Sequence, residues 1–167
     1  MKLVYIGSLV DKLFRPNTVF PNAALSAIVF RKDGTVEDLG LIGNKAVTTA
    51  FVNFLVDALQ STEATFADFK YHDSGTGTTA EAAADTAMET ACGEARDTGT
   101  QTEGASANIY KSVATHTYAD TFAITEHGLF NASTVDTLMD RTVFTAINIV
   151  SGDKIEFTYQ LTVPSGG

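Results

Sequence analysis

Ten residues near the C-terminus alternate without a break: Lys154-Ile155-Glu156-Phe157-Thr158-Tyr159-Gln160-Leu161-Thr162-Val163. Ile155, Phe157, Tyr159, Leu161 and Val163 fall on one side, and the charged or hydroxyl-bearing residues fall on the other. Successive side chains leave opposite faces of a pleated strand, so the pattern specifies a strand with one buried face and one wet face. Burying the five apolar side chains contributes roughly 8–15 kcal/mol gross, at about 1.5–3 each. No other segment has so clear a face. The stretch is expected to be a central strand of an antiparallel sheet, with the rest of the chain arranged around it.

The segments upstream supply the partners. Leu25–Lys32 and Thr35–Leu39 flank Asp33-Gly34, a strong hairpin signal because Gly accepts the positive φ of a tight turn. Val47, Ala50, Phe51, Phe54, Leu55, Ala58 and Leu59 then recur at three- and four-residue intervals. That period predicts one amphipathic helix over about Lys45–Gln60, with Asn44 as its N-cap, packed on the sheet. Phe66–His72, Ile109–Tyr118, Phe122–Phe130 and Arg141–Val150 read as further strands, and Ser151-Gly152-Asp153 turns the chain into the last one. With Met1–Ile6 a possible first strand, the expectation is seven to nine strands and one main helix. The fold class that follows is mainly β: a single antiparallel β-sandwich domain over 1–167, jelly-roll-like topologies included, with extended arms.

Two stretches stand outside this scheme. Residues 7–22 carry Phe14, Arg15, Pro16, Val19, Phe20 and Pro21, which suit an extended arm better than a regular element. Such an arm either folds back on its own core or docks on a neighbouring subunit. Residues 73–107 contain no Ile, Leu, Val or aromatic residue, and seven acids accompany the one base, Arg96. This insertion cannot form a core; it is either mobile or ordered by contact. Thr79–Thr90 is expected to form a short alanine-rich helix and Glu94–Glu103 an exposed ribbon. Phe14, Arg15, Phe20 and Arg96 are the candidate partner-contact residues.

Charge and cysteine content exclude several classes. The net charge of −9 argues against direct nucleic-acid binding. It is divided unevenly: residues 1–32 hold five bases against Asp11, a balance of +4, which leaves −13 for the remainder. No apolar run reaches the ~20 residues of a membrane span. The N-terminus begins like a signal peptide but meets Asp11, Lys12 and Arg15 without a cleavage site, so it is expected to stay on the mature chain. Cys92 is the only cysteine, which suits folding in a reducing cytoplasm.

Candidate chemistry is sparse. His72 precedes Asp73 and His127 follows Glu126, while His116 lies within a strand, yet adjacent strand residues point to opposite faces and the spacings match no metal-ligand motif. They are expected to be structural. Ser74-Gly75-Thr76-Gly77-Thr78 lacks the Gly-Lys-Ser/Thr ending of a phosphate loop and reads as a flexible turn. Cys92 sits among acids, which would raise its pKa. Asp140-Arg141 suggests an ion pair with another strand. No catalytic, cofactor or metal residues are assigned, and no enzyme is expected.

Ile124-Thr125-Glu126-His127-Gly128-Leu129-Phe130, Leu138-Met139-Asp140-Arg141-Thr142-Val143-Phe144 and Ile147–Tyr159, together with Tyr71–Thr78, resemble small virion proteins of tailed bacteriophages. The resemblance covers about residues 66–167. It implies a structural protein of the virion, made in the host cytoplasm. Within that class, capsid cement (decoration) proteins are often small β-sandwiches that bridge major capsid protein subunits as homo-oligomers. Tail and baseplate components share such folds and form the alternative. A host-surface glycan-binding module is the rival from another class, favoured by aromatics grouped on one loop end; here they lie in strands and the arm.

Overall fold

The computed structural model describes residues 22–60, 68–134 and 137–163. The expected arm, with Phe14, Arg15 and Phe20, and the Met1–Ile6 strand lie outside these residues. Nine strands and one helix follow in order: β1 (Asn22–Phe30), β2 (Val36–Ala46), α1 (Thr49–Leu59), β3 (Tyr71–Gly75), β4 (Asp97–Thr98), β5 (Thr100–Glu103), β6 (Ile109–Thr117), β7 (Phe122–Phe130), β8 (Leu138–Ile149) and β9 (Lys154–Thr162). They form two antiparallel sheets, ordered β2-β1-β9-β6-β5 and β4-β3-β7-β8. The described residues form a two-sheet β sandwich with one helix.

The alternating strand is where its pattern placed it. β9 lies in the middle of the five-stranded sheet, paired with β1 on one side and β6 on the other. Ile155, Phe157, Tyr159 and Leu161 are buried, as are Ala23, Leu25, Ala27 and Val29 of β1 beside them. Val163 falls past the end of the strand and is exposed. The opposing sheet contributes Ile124, Leu129, Met139, Ile147 and Ile149 to the same core. The His127 ring stacks 4.7 Å from Phe157 across the interior.

Four local expectations shift. The β1–β2 hairpin closes through a three-residue loop: Arg31 N–H bonds the Thr35 carbonyl, Gly34 N–H bonds the Arg31 carbonyl, and Gly34 takes φ +90°. That is a turn followed by a left-handed residue, one residue longer than the two-residue form. The helix begins at Thr49, not Lys45, because Asn44 is still paired with Ala24 in the sheet. Thr48 is the cap: its hydroxyl accepts from Phe51 N–H at 3.2 Å and donates to the Leu138 carbonyl at 2.6 Å. Phe66–His72 is not one strand; Asp68–Lys70 is a turn, and pairing starts at Tyr71. Phe69 there is buried edge-on between Phe51 and Phe54, at 5.1 and 4.8 Å, which anchors the helix to the sandwich. No helix among the described residues is long and apolar enough to cross a membrane.

Residues 79–90 contain turns and bends but no helix. Alanine content favours helix, yet the local carboxylates capture its backbone donors instead. Glu89 accepts from both the N–H and the hydroxyl of Thr79, and Asp85 accepts from Ala82 N–H. The Glu94–Glu103 ribbon is divided between the sheets, β4 pairing with β3 and β5 with β6.

Candidate functional site

β7 is buried on both faces, although it belongs to a sheet with only one neighbour sheet. Glu126 and His127 are each fully inaccessible, and adjacent residues cannot share a face. His127 faces the sandwich interior. Glu126 faces outward and is covered by residues 76–91, the acidic insertion.

Glu126 is what orders that insertion. Its Oε1 accepts from Gly77 N–H at 3.0 Å and Thr90 N–H at 2.7 Å, and its Oε2 from Glu89 N–H at 3.1 Å. Arg141 of β8 donates to Oε2 through Nε at 2.6 Å. The same guanidinium reaches Asp85 at 3.0 Å, Glu89 at 3.3 Å and the Thr79 carbonyl at 3.2 Å. A buried carboxylate is tolerated when several N–H groups and a cation satisfy it, and each bond to a charged group is worth about 1.5–3 kcal/mol. A core-poor segment is thereby fixed by polar bonds. The Ser74–Thr78 stretch is correspondingly no flexible turn: a Cβ on Gly77 would sit 2.5 Å from Glu126 Oε1, so glycine permits the close approach.

Arg96, an expected partner contact, is engaged within the chain. Its guanidinium lies 3.4 Å from the Phe130 ring centroid, Nε bonds Asp73 at 3.1 Å, and Nη1 bonds the Ala132 and Thr134 carbonyls. These bonds fasten the insertion to the β7–β8 connection. Asp140 and Arg141 part company: Arg141 joins Glu126, while Asp140 has no cationic partner among the ion pairs of the described residues.

On the inner face a polar seam crosses the sandwich. His72 Nδ1 and His127 Nε2 share a hydrogen bond of 2.9 Å, and His72 Nε2 meets Ser112 Oγ at 2.8 Å. Tyr118 donates to Ser74 Oγ at 3.0 Å, and Ser74 Oγ lies 3.4 Å from the Cys92 thiol. His116 Nδ1 is ion-paired with Asp97 Oδ2, and its ring lies 4.7 Å from that of Tyr118. Farther along, Asp140 Oδ1 accepts from the Thr142 hydroxyl at 2.7 Å. Asp140 Oδ2, the Tyr159 hydroxyl, His116 Nε2 and His127 Nδ1 have no hydrogen-bond partner among the described residues.

Burial sets the protonation of this seam. It pushes His72 down to about 3, with the His116 charge acting the same way, and pushes His127 down as well, so both rings are neutral. Burial also raises Asp140 to about 7. For His116, burial is outweighed by Cys92 and Asp97, and the net shift is upward. Cys92 overturns the expectation of a raised pKa. Burial does push the thiol up, but contacts with His116 and Ser74 and the Glu94 N–H prevail and lower it. Its sequence neighbours are acids; its spatial neighbour is an imidazole. Among the described residues, no group of three or more His, Cys, Asp and Glu is arranged to hold a metal.

The third feature is a groove of about 480 Å³ between the edge strands β2 and β8. Leu39, Leu41, Ile42, Phe144 and Ile147 line it, and Arg31, Glu37 and Asn148 stand at one end. Leu41 is 60% exposed and Val36, on the same edge strand, 58%. Sequence reading missed the groove because edge position depends on strand order, which periodicity does not contain.

No protein-family model, curated protein or solved structure matches the chain.

Proposed function

We propose that this chain is a non-enzymatic structural protein of a tailed-bacteriophage virion, a capsid cement protein that bridges major capsid protein subunits on the head surface as a homo-oligomer. The observation that carries the reading is the pair of sheet edges, β2 and the second half of β8; the first residues of β8 are covered by Thr48, which bonds the Leu138 and Met139 carbonyls. β2 and β8 have 11 and 12 residues, and neither has a second strand partner among the described residues. Isolated proteins blunt long edges with bulges, charges or covering segments, whereas an exposed edge with apolar side chains is a template for an added strand. β2 does carry irregularities against β1, but it also presents Val36 and Leu41 to solvent. The insertion, held by Glu126 and Arg141, covers the outer face of β7 with an acidic segment. The resemblance of residues 66–167 to small virion proteins supports the same class, since its motifs compose β3, β7, β8 and β9 of the sandwich.

A cement protein acts by binding the assembled lattice and not the free subunit, which stabilises the lattice by mass action. The test separates phage heads from tails and quantifies this chain in each fraction against the major capsid protein. Abundance comparable to the capsid subunit in heads, with heads lacking the chain failing sooner on heating, is the expected result. A few copies confined to tails would assign it to the tail or baseplate instead, and absence from both fractions would refute a virion role.

A further inference from the structure

Strand irregularities on both sides border one groove, the cleft of about 480 Å³ between β2 and β8. Against β1, Leu25 pairs with Gly43 and Ser26 with Leu41, so Ile42 is an extra residue. Ala27 pairs with Gly40 and Ile28 with Asp38, so Leu39 is another. Against β7, Ile124 pairs with Ile147 and Glu126 with Val143, which leaves Phe144, Thr145 and Ala146 opposite Thr125 alone. A bulge bends its strand and re-aims a side chain. Leu39, Ile42 and Phe144 line the groove from its two sides and pack against the core. Leu41, also in the lining, is 60% exposed.

The two ends of the groove differ. At one end the chain passes from Ala46 to Thr48, whose N–H and hydroxyl bond the Met139 and Leu138 carbonyls of β8. At the other end stand Arg31, Glu37 and Asn148. Residues 31–38, with Asp153 bonded to Arg31, hold Asp33, Glu37, Asp38 and Asp153 against Arg31 and Lys32, a balance of −2. An apolar floor with an acidic end suits a segment that carries large apolar groups beside a base. Residues 1–21, outside the described residues, hold Lys2, Lys12 and Arg15 against Asp11, a balance of +2, and set Arg15 next to Phe14. Pro16 and Pro21 have no N–H to give a ladder, and the bulged edges offer no regular one.

We propose that the groove between β2 and β8 receives the arm of a second copy of this chain, with Phe14 seated against Leu39, Ile42 and Phe144 and Arg15 facing Glu37. The chain's own arm meets β1 at Asn22, opposite Ala46. To enter its own groove it would have to cross the connection from Ala46 to Thr48, and connections do not cross at one edge of a sheet. Phe14 precedes Asn22 by eight residues, which reach about 26–29 Å when extended, enough to leave one copy and enter the next. Arm and groove are different surfaces, so the contact is heterologous and closes as a ring, or as a pair whose members exchange arms. The inference rests on the homo-oligomer of the proposed function and names its contact; it does not depend on where in a virion the oligomer sits.

The experiment measures the mass of the full chain by sedimentation over a range of concentrations. An oligomer is expected, and Phe14→Ser and Leu41→Lys should each raise its dissociation constant about tenfold or more, as loss of an anchoring contact does. Leu41 is exposed, so its substitution leaves the fold intact. In a Cys92→Ser background, Phe14→Cys combined with Leu41→Cys should give disulfide-linked oligomers on oxidation, and neither single cysteine should. A disulfide closed within one chain would place the arm in its own groove and overturn the proposal, as would linkage no greater than in the single variants. An oligomer that neither Phe14→Ser nor Leu41→Lys weakens overturns it as well, while leaving the homo-oligomer reading intact. A full chain that stays monomeric refutes both.

Discussion

Asp140 is a carboxyl group with nothing to hold its charge. It is fully buried, Thr142 satisfies one oxygen, and the other oxygen is unpartnered among the described residues. Burial raises its pKa from 3.8 to about 7. The folded chain therefore keeps a proton that the unfolded chain releases. Above pH 7 the folded state carries a buried charge, and stability is lower than for a neutral isostere by about 4 kcal/mol, at 1.36 per pKa unit. As pH falls from about 7 toward 3.8, that loss is progressively recovered. Asp140→Asn removes the ionisation and retains the acceptor for Thr142. Its advantage over the unsubstituted chain is expected to be roughly 4 kcal/mol near pH 8 and roughly 1.5–2 near pH 5. The new amide hydrogens lose about 1–3 kcal/mol if unbonded, but that loss is the same at both pH values. The robust quantity is accordingly the difference, roughly 2.5 kcal/mol between the two conditions. Urea titrations read it as a midpoint gain larger by about 1 M near pH 8 than near pH 5, for a slope of about 2–3 kcal/mol/M. A variant whose midpoint tracks the unsubstituted chain in parallel across pH would refute the assignment of a buried, proton-holding carboxyl.

In the Asp140→Asn background, stability should fall as pH drops below about 6.5. The unfolded chain protonates His72 there and the folded chain does not until about 3, so the loss near pH 4.5 is about 2.7 kcal/mol. His127 acts in the same direction and His116 in the opposite one, and a flat urea midpoint would exclude neutral buried histidines. Gly77→Ala should destabilise by about 1–3 kcal/mol, because its Cβ meets Glu126 Oε1 at 2.5 Å; thermal melting within error of the unsubstituted chain would show that the loop yields. Leu41→Lys, at an exposed edge position, should leave stability within about 0.5 kcal/mol while reducing occupancy on heads. Unchanged occupancy would remove this edge from the proposed contact.

The frame was legible in the sequence because each part of it is a local pattern. Alternation in Lys154–Val163 and the Asp33-Gly34 turn predict strands, and the stripe from Val47 to Leu59 predicts the helix. Their errors are local too: strand pairing carries Asn44 past its expected role as a cap, and Phe69 is held by aromatic rings and not by a ladder. The polar seam was not legible. His72 meets His127 across 55 residues and Ser112 across 40, and no spacing rule links them until the order β3-β7 against β6 is known. Alanine and threonine in 79–90 spoke for helix, but one buried glutamate from β7 takes the N–H groups of Gly77, Glu89 and Thr90. The only hint was compositional: small residues at Gly75 and Gly77 leave room for a carboxylate that the sequence places about 50 residues away.

Glu126 and His127, one residue apart, couple the outer clamp to the inner seam. Residues 76–91 are held by Glu126 and Arg141, and they end at Cys92, whose N–H bonds the Ser74 carbonyl at 3.0 Å. The position of Cys92 against Ser74 thus depends on a clamp on the other face of β7. Arg141→Met tests that dependence. It leaves Glu126 buried with three backbone donors and no cation, a change that costs about 3–5 kcal/mol when one partner of a buried pair is removed. If the variant remains folded, residues 76–91 should become cleavable by protease, and Cys92 should be alkylated faster as its contact with Ser74 loosens. If protease sensitivity appears while the alkylation rate of Cys92 is unchanged, the bond from Cys92 to Ser74 holds this end of the insertion alone and the two faces are independent. Should neither change, Asp85 and Glu89 are dispensable partners, and the N–H groups around Glu126 suffice to fix the insertion.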